Sequence, residues 1–155
     1  MRFMVLVKAS PASEGAKPGP HSEPAGPSDH EALKKAFAEM GRFNFELANA
    51  GMLLGMDGLK PSSTGARISF SGKERVVTDG PFTETKELIA GFWMIQANSK
   101  EDAIAWMSRV PFEEGQIEIR QVGEASDLPA DVSDPKRRAE LYALIDRANA
   151  ERKAS

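Results

Sequence analysis

The order of the apolar patterns along the chain restricts its fold more than any other feature of the sequence. Residues 3–7 form a short apolar run, bounded by Lys8, of the kind typical of a buried strand. Residues 33–47 then place apolar side chains at three- and four-residue steps, which predicts an amphipathic helix that Gly51 ends. A second strand is predicted to begin at residues 52–54. The first part of the chain therefore predicts strand, helix, strand.

The later part of the chain repeats this order after an insertion. Residues 66–70 and 75–78 flank a predicted turn and indicate a β-hairpin. Residues 92–95 predict another strand, Ser99 caps a predicted helix, and residues 116–122 predict the last strand. With the hairpin left aside, the order strand, helix, strand, strand, helix, strand is typical of a ferredoxin-like α+β fold.

Two of the predicted strands are apolar on both faces, which limits what can cover the sheet. If water covered the face away from the helices, residues 3–7 and 92–95 would alternate between apolar and polar side chains, and they do not. A second copy of the same sheet is the simplest cover and predicts a homodimer. The alternative is a C-terminal helix folded under the sheet. We favour the dimer, because one narrow helix cannot cover four strands.

Two segments lie outside this pattern and divide the chain. Residues 10–27 contain half of the ten prolines and no anchor larger than alanine, which predicts a long, partly disordered loop. Asp134 and Pro135 begin a predicted C-terminal helix with a narrow apolar stripe. We therefore expect one domain over residues 1–123 and a helical extension over residues 124–155.

Composition and charge exclude several classes of function. The net charge of −3 argues against nucleic acid as a partner, because binding phosphates needs a basic excess. The absence of cysteine excludes disulfides, thiol catalysis and thiolate metal sites. His21 and His30 have no second histidine at ligand spacing, and no cofactor motif occurs, so we expect neither metal nor cofactor. No apolar run reaches the length of a signal-peptide core or a membrane span, so we expect a cytoplasmic protein.

The segment DGPFTETKE, residues 79–87, has the most unusual composition in the chain. Asp79, Gly80 and Pro81 bring together a carboxylate, a residue that tolerates positive φ, and a fixed φ. The backbone is therefore predicted to bend sharply where the hairpin ends.

Asp79 has two interpretations. In the structural one, its carboxylate accepts N–H bonds within its own turn and Phe82 anchors the loop. In the functional one, Asp79 is a general base or ligand acceptor at the mouth of a cleft, with Thr78 and Lys86 nearby.

Two arginines and two tryptophans are further candidates for ligand contact. Arg67 and Arg120 lie on predicted strands, where each is able to hold an anionic group or to form an ordinary surface ion pair. Trp93 and Trp106 lie in apolar patterns and are predicted first as core residues.

The motif around Asp79 resembles one that is found in a known family. Residues 77–87, VTDGPFTETKE, closely resemble the hallmark of the YCII-related, or DGPF-domain, proteins of bacteria. The flanking segments at residues 1–7, 50–54 and 115–120 agree, so the resemblance spans residues 1–122. It implies ferredoxin-like units that pair as a dimeric α/β barrel.

The resemblance implies two kinds of function. Proteins of the YCII family resemble small enzymes with a proposed His–Asp pair, and one relative is a dehydrochlorinase of a chlorinated hydroxyquinol. Met40 stands at about the point where the histidine of that pair belongs. DGPF-domain proteins are often encoded beside sigma-factor genes, which suggests regulation.

Two functional hypotheses follow. The first is a cofactor-independent enzyme acting on a small oxygenated or aromatic metabolite, with Asp79 as acid/base and Arg67 or Arg120 placing an anionic group. The second is a non-catalytic, dimeric module that binds a ligand or regulates a partner. The sequence does not decide between them.

Overall fold

A computed structural model describes residues 1–15, 27–83, 87–124, 127–129 and 134–154. The chain forms two compact units, Met1–Val122 and Gly123–Ser155. In chain order the elements of the first unit are β1 Arg2–Lys8, α1 Pro27–Asn49, β2 Leu53–Gly58, a 3-10 turn Ser62–Thr64, β3 Ala66–Ser71, β4 Glu74–Asp79, β5 Ile89–Gln96, α2 Lys100–Met107 and β6 Ile117–Gln121. The second unit contains α3, Pro135–Ala154.

Four strands form the main sheet in the order β2-β5-β1-β6, and every neighbouring pair is antiparallel. Two helices connect them in the chain order that the sequence predicts, so the α+β class is confirmed and the arrangement is compatible with a ferredoxin-like fold. Strands β3 and β4 come between β2 and β5 in the chain and form a separate two-stranded antiparallel sheet.

One face of the main sheet and the two helices bury the core. Alternate residues of β1 and β5 point to this face, and they meet apolar side chains of α1 and α2. The largest fully buried side chains are Phe3, Val5, Leu47, Ile95 and Met107. Each contributes about 1.5–3 kcal/mol through burial, so this layer holds the first unit together.

Helix α1 buries only the C-terminal half of its apolar stripe. Phe43 and Leu47 are buried, whereas Leu33 and Phe37 are 55% and 70% exposed. The helix of 23 residues is longer than the stretch over which the sheet covers it. Its N-terminal half therefore presents apolar side chains that the described residues do not cover.

Local signals fix the C-terminal end of α1 and the N-terminal end of α2 as predicted. Gly51 has a φ of 69° after α1, and the N–H of Met52 donates to the carbonyl of Leu47 at 3.0 Å, as in a Schellman cap. The Ser99 hydroxyl accepts from the N–H of Asp102 at 3.1 Å, which confirms the predicted cap of α2.

Helix α3 also begins where the sequence predicts. The Asp134 carboxylate accepts from the N–H groups of Lys136 and Arg137, each at 3.1 Å, and Pro135 occupies the first turn. Among the described residues, no helix has both the length and the apolar content that crossing a bilayer requires.

The face of the sheet that points away from the helices is also apolar along its centre. Met4 and Leu6 of β1 lie beside Met94 and Phe92 of β5 in register, and all four are half-buried. We call these four residues the open face. Lys8 and Glu118 border it and form an ion pair at 2.7 Å.

Candidate functional site

The DGPF motif begins where β4 ends, and backbone hydrogen bonds hold it against the 3-10 turn. The N–H of Gly80 donates to the carbonyl of Gly65 at 2.9 Å. The N–H of Phe82 donates to the Ser62 hydroxyl at 3.3 Å. The motif is thereby fixed to a segment that lies about 20 residues earlier in the chain.

Gly80 is required by a close backbone approach. A Cβ atom at this position would lie 1.8 Å from the carbonyl oxygen of Ser62 and 2.7 Å from its carbonyl carbon. Backbone atoms cannot rotate away as a side chain can, so a residue larger than glycine forces the two segments apart. This contact explains physically why the second residue of the motif is glycine.

Glu14 is a further anchor, and the sequence analysis missed it. Its carboxylate accepts from the N–H of Ser62 at 3.0 Å and from the Ser62 hydroxyl at 2.5 Å. Ser62 in turn accepts from Phe82, so a chain of hydrogen bonds joins Glu14 to the motif. Of the loop predicted over residues 10–27, the described part up to residue 15 forms hydrogen-bonded turns, and residues 16–26 lie outside the described residues.

The structure brings three of the predicted site residues together. Arg67 and Thr78 are partners in the β3–β4 pairing, so their side chains lie side by side on one face of that ribbon. The Arg67 guanidinium lies over the Phe82 ring at 4.0 Å from its centroid. Phe82 is half-buried.

Asp79 is exposed at the end of β4. It pairs with Ala66, and strand alternation places its side chain on the opposite face of the ribbon from Arg67 and Thr78. No N–H group of residues 80–83 donates to its carboxylate, and among the described residues no side chain pairs with it. The turn is held by Gly80 and Phe82 instead.

The remaining two predicted site residues are elsewhere or undescribed. Arg120 lies on β6 of the main sheet, 3.8 Å from Glu118, which Lys8 also contacts. The hydrogen bond from Lys8 and its positive charge lower the pKa of the Glu118 carboxyl from its ordinary value. Arg120 therefore belongs to a surface charge cluster. Lys86 lies outside the described residues.

A second candidate site is a cavity of about 370 Å³ between α1 and the β2–β5 edge of the main sheet. Its side-chain walls are almost wholly apolar and come from Val7, Phe37, Met40, Met56 and Trp93, with Asn44 as the polar member. Among the described residues that line it are neither of the candidate arginines and no residue of the DGPF motif, whereas Trp93, a further candidate for ligand contact, is one of them. Its size lies at the lower end of the range for small-molecule sites.

Two glycines that face each other across the β2–β5 pair line the cavity. Gly58 and Gly91 are register partners, and Gly91 also pairs with Val7 of β1. A Cβ on Gly91 would lie 2.9 Å from the carbonyl oxygen of Asp57. Gly58 and Gly91 are visible in the sequence as glycines near two predicted strands. Their pairing could not be predicted, because the sequence does not reveal the strand register.

Trp93 forms one wall of the cavity and is held by the core. It is 5% exposed, and its ring meets Phe43 edge-on with centroids 6.4 Å apart. Its indole N–H donates to the Asn44 side-chain oxygen at 2.9 Å. The predicted core role of Trp93 is confirmed.

Trp106 packs against the same core, and the Arg109 guanidinium lies 4.5 Å from the Trp106 ring centroid.

The fold and the cavity define a small α+β protein with a ligand-sized space under its first helix. The chain belongs to the YCII-related domain family, whose pattern matches residues 1–126. It is also similar to an uncharacterized protein of Rhizobium meliloti (strain 1021), at 28% identity over 105 residues. That similarity covers 64% of this chain and 85% of the relative. The family resemblance of the DGPF motif is thus confirmed.

Replacing Gly80 with alanine tests the close contact in the motif. We expect Gly80→Ala to lower the free energy of unfolding by about 1–3 kcal/mol, because its Cβ overlaps the Ser62 backbone. The measurement is urea denaturation followed by circular dichroism.

The matched control is Gly41→Ala inside α1, where a Cβ has no neighbour within 4 Å. Here we expect an increase of about 0.5–1 kcal/mol, since alanine favours a helix over glycine. Equal stability of Gly80→Ala and the parent would contradict the contact.

Proposed function

We propose that this chain is a dimeric module of the YCII-related family that binds a small, mainly apolar molecule in the cavity beneath α1. The observation that carries the proposal is a cavity of about 370 Å³ with apolar walls and one polar side chain, Asn44, held in place. Ligand sites have this character: mostly hydrophobic, with a few fixed polar groups that set orientation. Phe37 lies at the edge of the cavity and is exposed, so a bound ligand would bury part of its apolar surface.

The chemistry of the walls supports binding over catalysis. General acid–base catalysis needs a proton donor or acceptor placed within hydrogen-bond reach of the substrate. Asp57 is the only titratable residue among the described residues that line the cavity, and strand alternation directs its side chain to the opposite face from Met56. Met40, where the resemblance places a histidine, has no exchangeable proton.

The open face supports the dimer. Met4, Leu6, Phe92 and Met94 form a continuous apolar strip on the side away from both helices. A two-fold pairing of this strip with itself buries it, and the charges of Lys8, Glu118 and Arg120 beside it have both signs. The family resemblance implies the same dimeric α/β barrel.

A charge in the open face tests the dimer. We expect the parent to have twice the monomer mass. We expect Met94→Glu to have the monomer mass, because burying the new carboxylate in the interface carries a desolvation cost that destabilises the dimer. The measurement is size-exclusion chromatography with light scattering.

Ile104→Glu is the matched control, since Ile104 is an exposed apolar residue on α2. It is expected to keep the dimer mass. A parent protein with the monomer mass overturns the dimer.

A second candidate function is the enzyme with Asp79 as acid/base, acting on a small oxygenated or aromatic metabolite. One observation favours it: the Asp79 carboxylate has no partner among the described residues, while hydrogen bonds hold the loop beside it. In this candidate Thr78 and Phe82 contact the ligand, Lys86 lies nearby, and Arg67 or Arg120 places an anionic group. The register counts against that arrangement, because Arg67 and Thr78 lie on the face of the ribbon opposite to Asp79, and Arg120 lies on β6 of the main sheet. A carboxylate that its own turn does not use is available to a ligand, which is what an acid/base role requires.

One binding experiment separates the two candidates. The parent is screened by thermal shift against monocyclic and bicyclic aromatic alcohols and ketones, beside Met40→Trp and Asp79→Asn. We expect Met40→Trp to weaken binding of the hits at least about tenfold, because the indole occupies part of the cavity, and Asp79→Asn to leave it unchanged.

Phe45→Trp is the control, because it adds an indole to an exposed position of the same helix. It should bind as the parent does. Loss of binding in Asp79→Asn with retention in Met40→Trp favours the enzyme candidate instead. A screen without any hit contradicts the cavity proposal.

A further inference from the structure

We infer that Asn44 makes the cavity selective for a neutral ligand that carries a hydrogen-bond acceptor, such as an aryl ketone. The inference rests on the proposed function, since it names the class of molecule that the cavity takes. It assigns Asn44 a role as the residue that determines specificity.

The orientation of the Asn44 amide follows from its partner. The indole N–H of Trp93 is only a donor, so the atom that meets it at 2.9 Å must be the amide oxygen. The NH₂ group then faces the other way, with two N–H donors. Among the described residues, no group accepts from that NH₂ group.

The amide is held in this orientation before a ligand arrives. Trp93 is buried and packs edge-on against Phe43, so the indole N–H keeps its direction. Asn44 lies on α1 between Met40 and Leu47, and Leu47 is fully buried, so this part of the helix cannot shift. A donor that is already oriented loses little conformational freedom when a ligand binds.

The other walls set the rest of the ligand's chemistry. Val7, Phe37, Met40 and Met56 offer apolar and polarisable surface, which fits an aromatic or alicyclic ring. No arginine or lysine lines the cavity in the part of the chain that the structure describes, so no described cation there balances an anionic ligand. A cavity of about 370 Å³ is more than twice the ~150 Å³ that holds one benzene, so one or two rings fit.

Three probes of one shape test the inference. Acetophenone carries an acceptor, ethylbenzene lacks one, and 1-phenylethylamine replaces it with a charged donor. In the parent we expect acetophenone to bind about three- to tenfold more tightly than ethylbenzene, as one neutral hydrogen bond allows. Binding is followed by the indole N–H resonances in two-dimensional NMR; the chain has two tryptophans, and Trp106→Phe assigns them.

Asn44→Asp is the decisive variant. It keeps an oxygen for the Trp93 indole but replaces the NH₂ donors with a carboxylate oxygen. We expect acetophenone to lose its advantage over ethylbenzene, and 1-phenylethylamine to become the tightest of the three. A single sharp indole resonance for Trp93 without ligand, with the backbone resonances far from residue 44 unchanged, shows that the variant keeps the fold.

The outcomes separate the inference from the proposed function. Equal binding of acetophenone and ethylbenzene to the parent overturns the role of Asn44 while the cavity remains a binding site, and this comparison needs no variant. An unchanged preference in Asn44→Asp overturns it as well. If no probe binds the parent, both the inference and the proposed function fail.

Discussion

The buried indole of Trp93 connects the core of this protein to its cavity. The residue pairs in register with Val5 on one side and Met56 on the other, so it lies at the centre of the sheet. Its ring packs against Phe43 of α1, and its N–H fixes Asn44 one turn away from Met40. The same side chain therefore holds the first helix on the sheet and orients the polar group of the cavity.

The DGPF motif has a different role in the structure. Its glycine permits the backbone of the loop to touch the 3-10 turn, and Ser62 and Glu14 complete the attachment. These contacts explain the glycine of the motif as scaffold, while the Phe82 ring lies beneath the Arg67 guanidinium. The carboxylate of Asp79 is left without such a role among the described residues, which is why the enzyme candidate stays in the account.

Much of the fold could be predicted from the sequence, because its signals are local. The order of strands and helices follows from apolar periodicity over short windows, and the helix ends follow from single residues such as Gly51, Ser99 and Asp134. Strands that are apolar on both faces also indicated correctly that the second face of the sheet is not polar. Each of these inferences needs only neighbours in sequence.

The candidate site could be predicted only in part, because its contacts join distant segments. Glu14 and Ser62 are 48 residues apart, and no local pattern in either segment predicts that the two are in contact. Met40 fitted the predicted core stripe of α1, yet it also lines the cavity, where Gly58 and Gly91 meet across the β2–β5 pair. That meeting depends on strand register, which hydrophobic patterns fix only after the strands have paired.

A crystal structure of the protein soaked with small aromatic ketones and alcohols tests the central claim most directly. We expect density for a bound ring between Phe37, Met40 and Trp93, with an acceptor atom at hydrogen-bond distance from the Asn44 nitrogen. Density only beside Asp79, Arg67 and Phe82, with the cavity empty, would contradict the account and move the site to the DGPF motif.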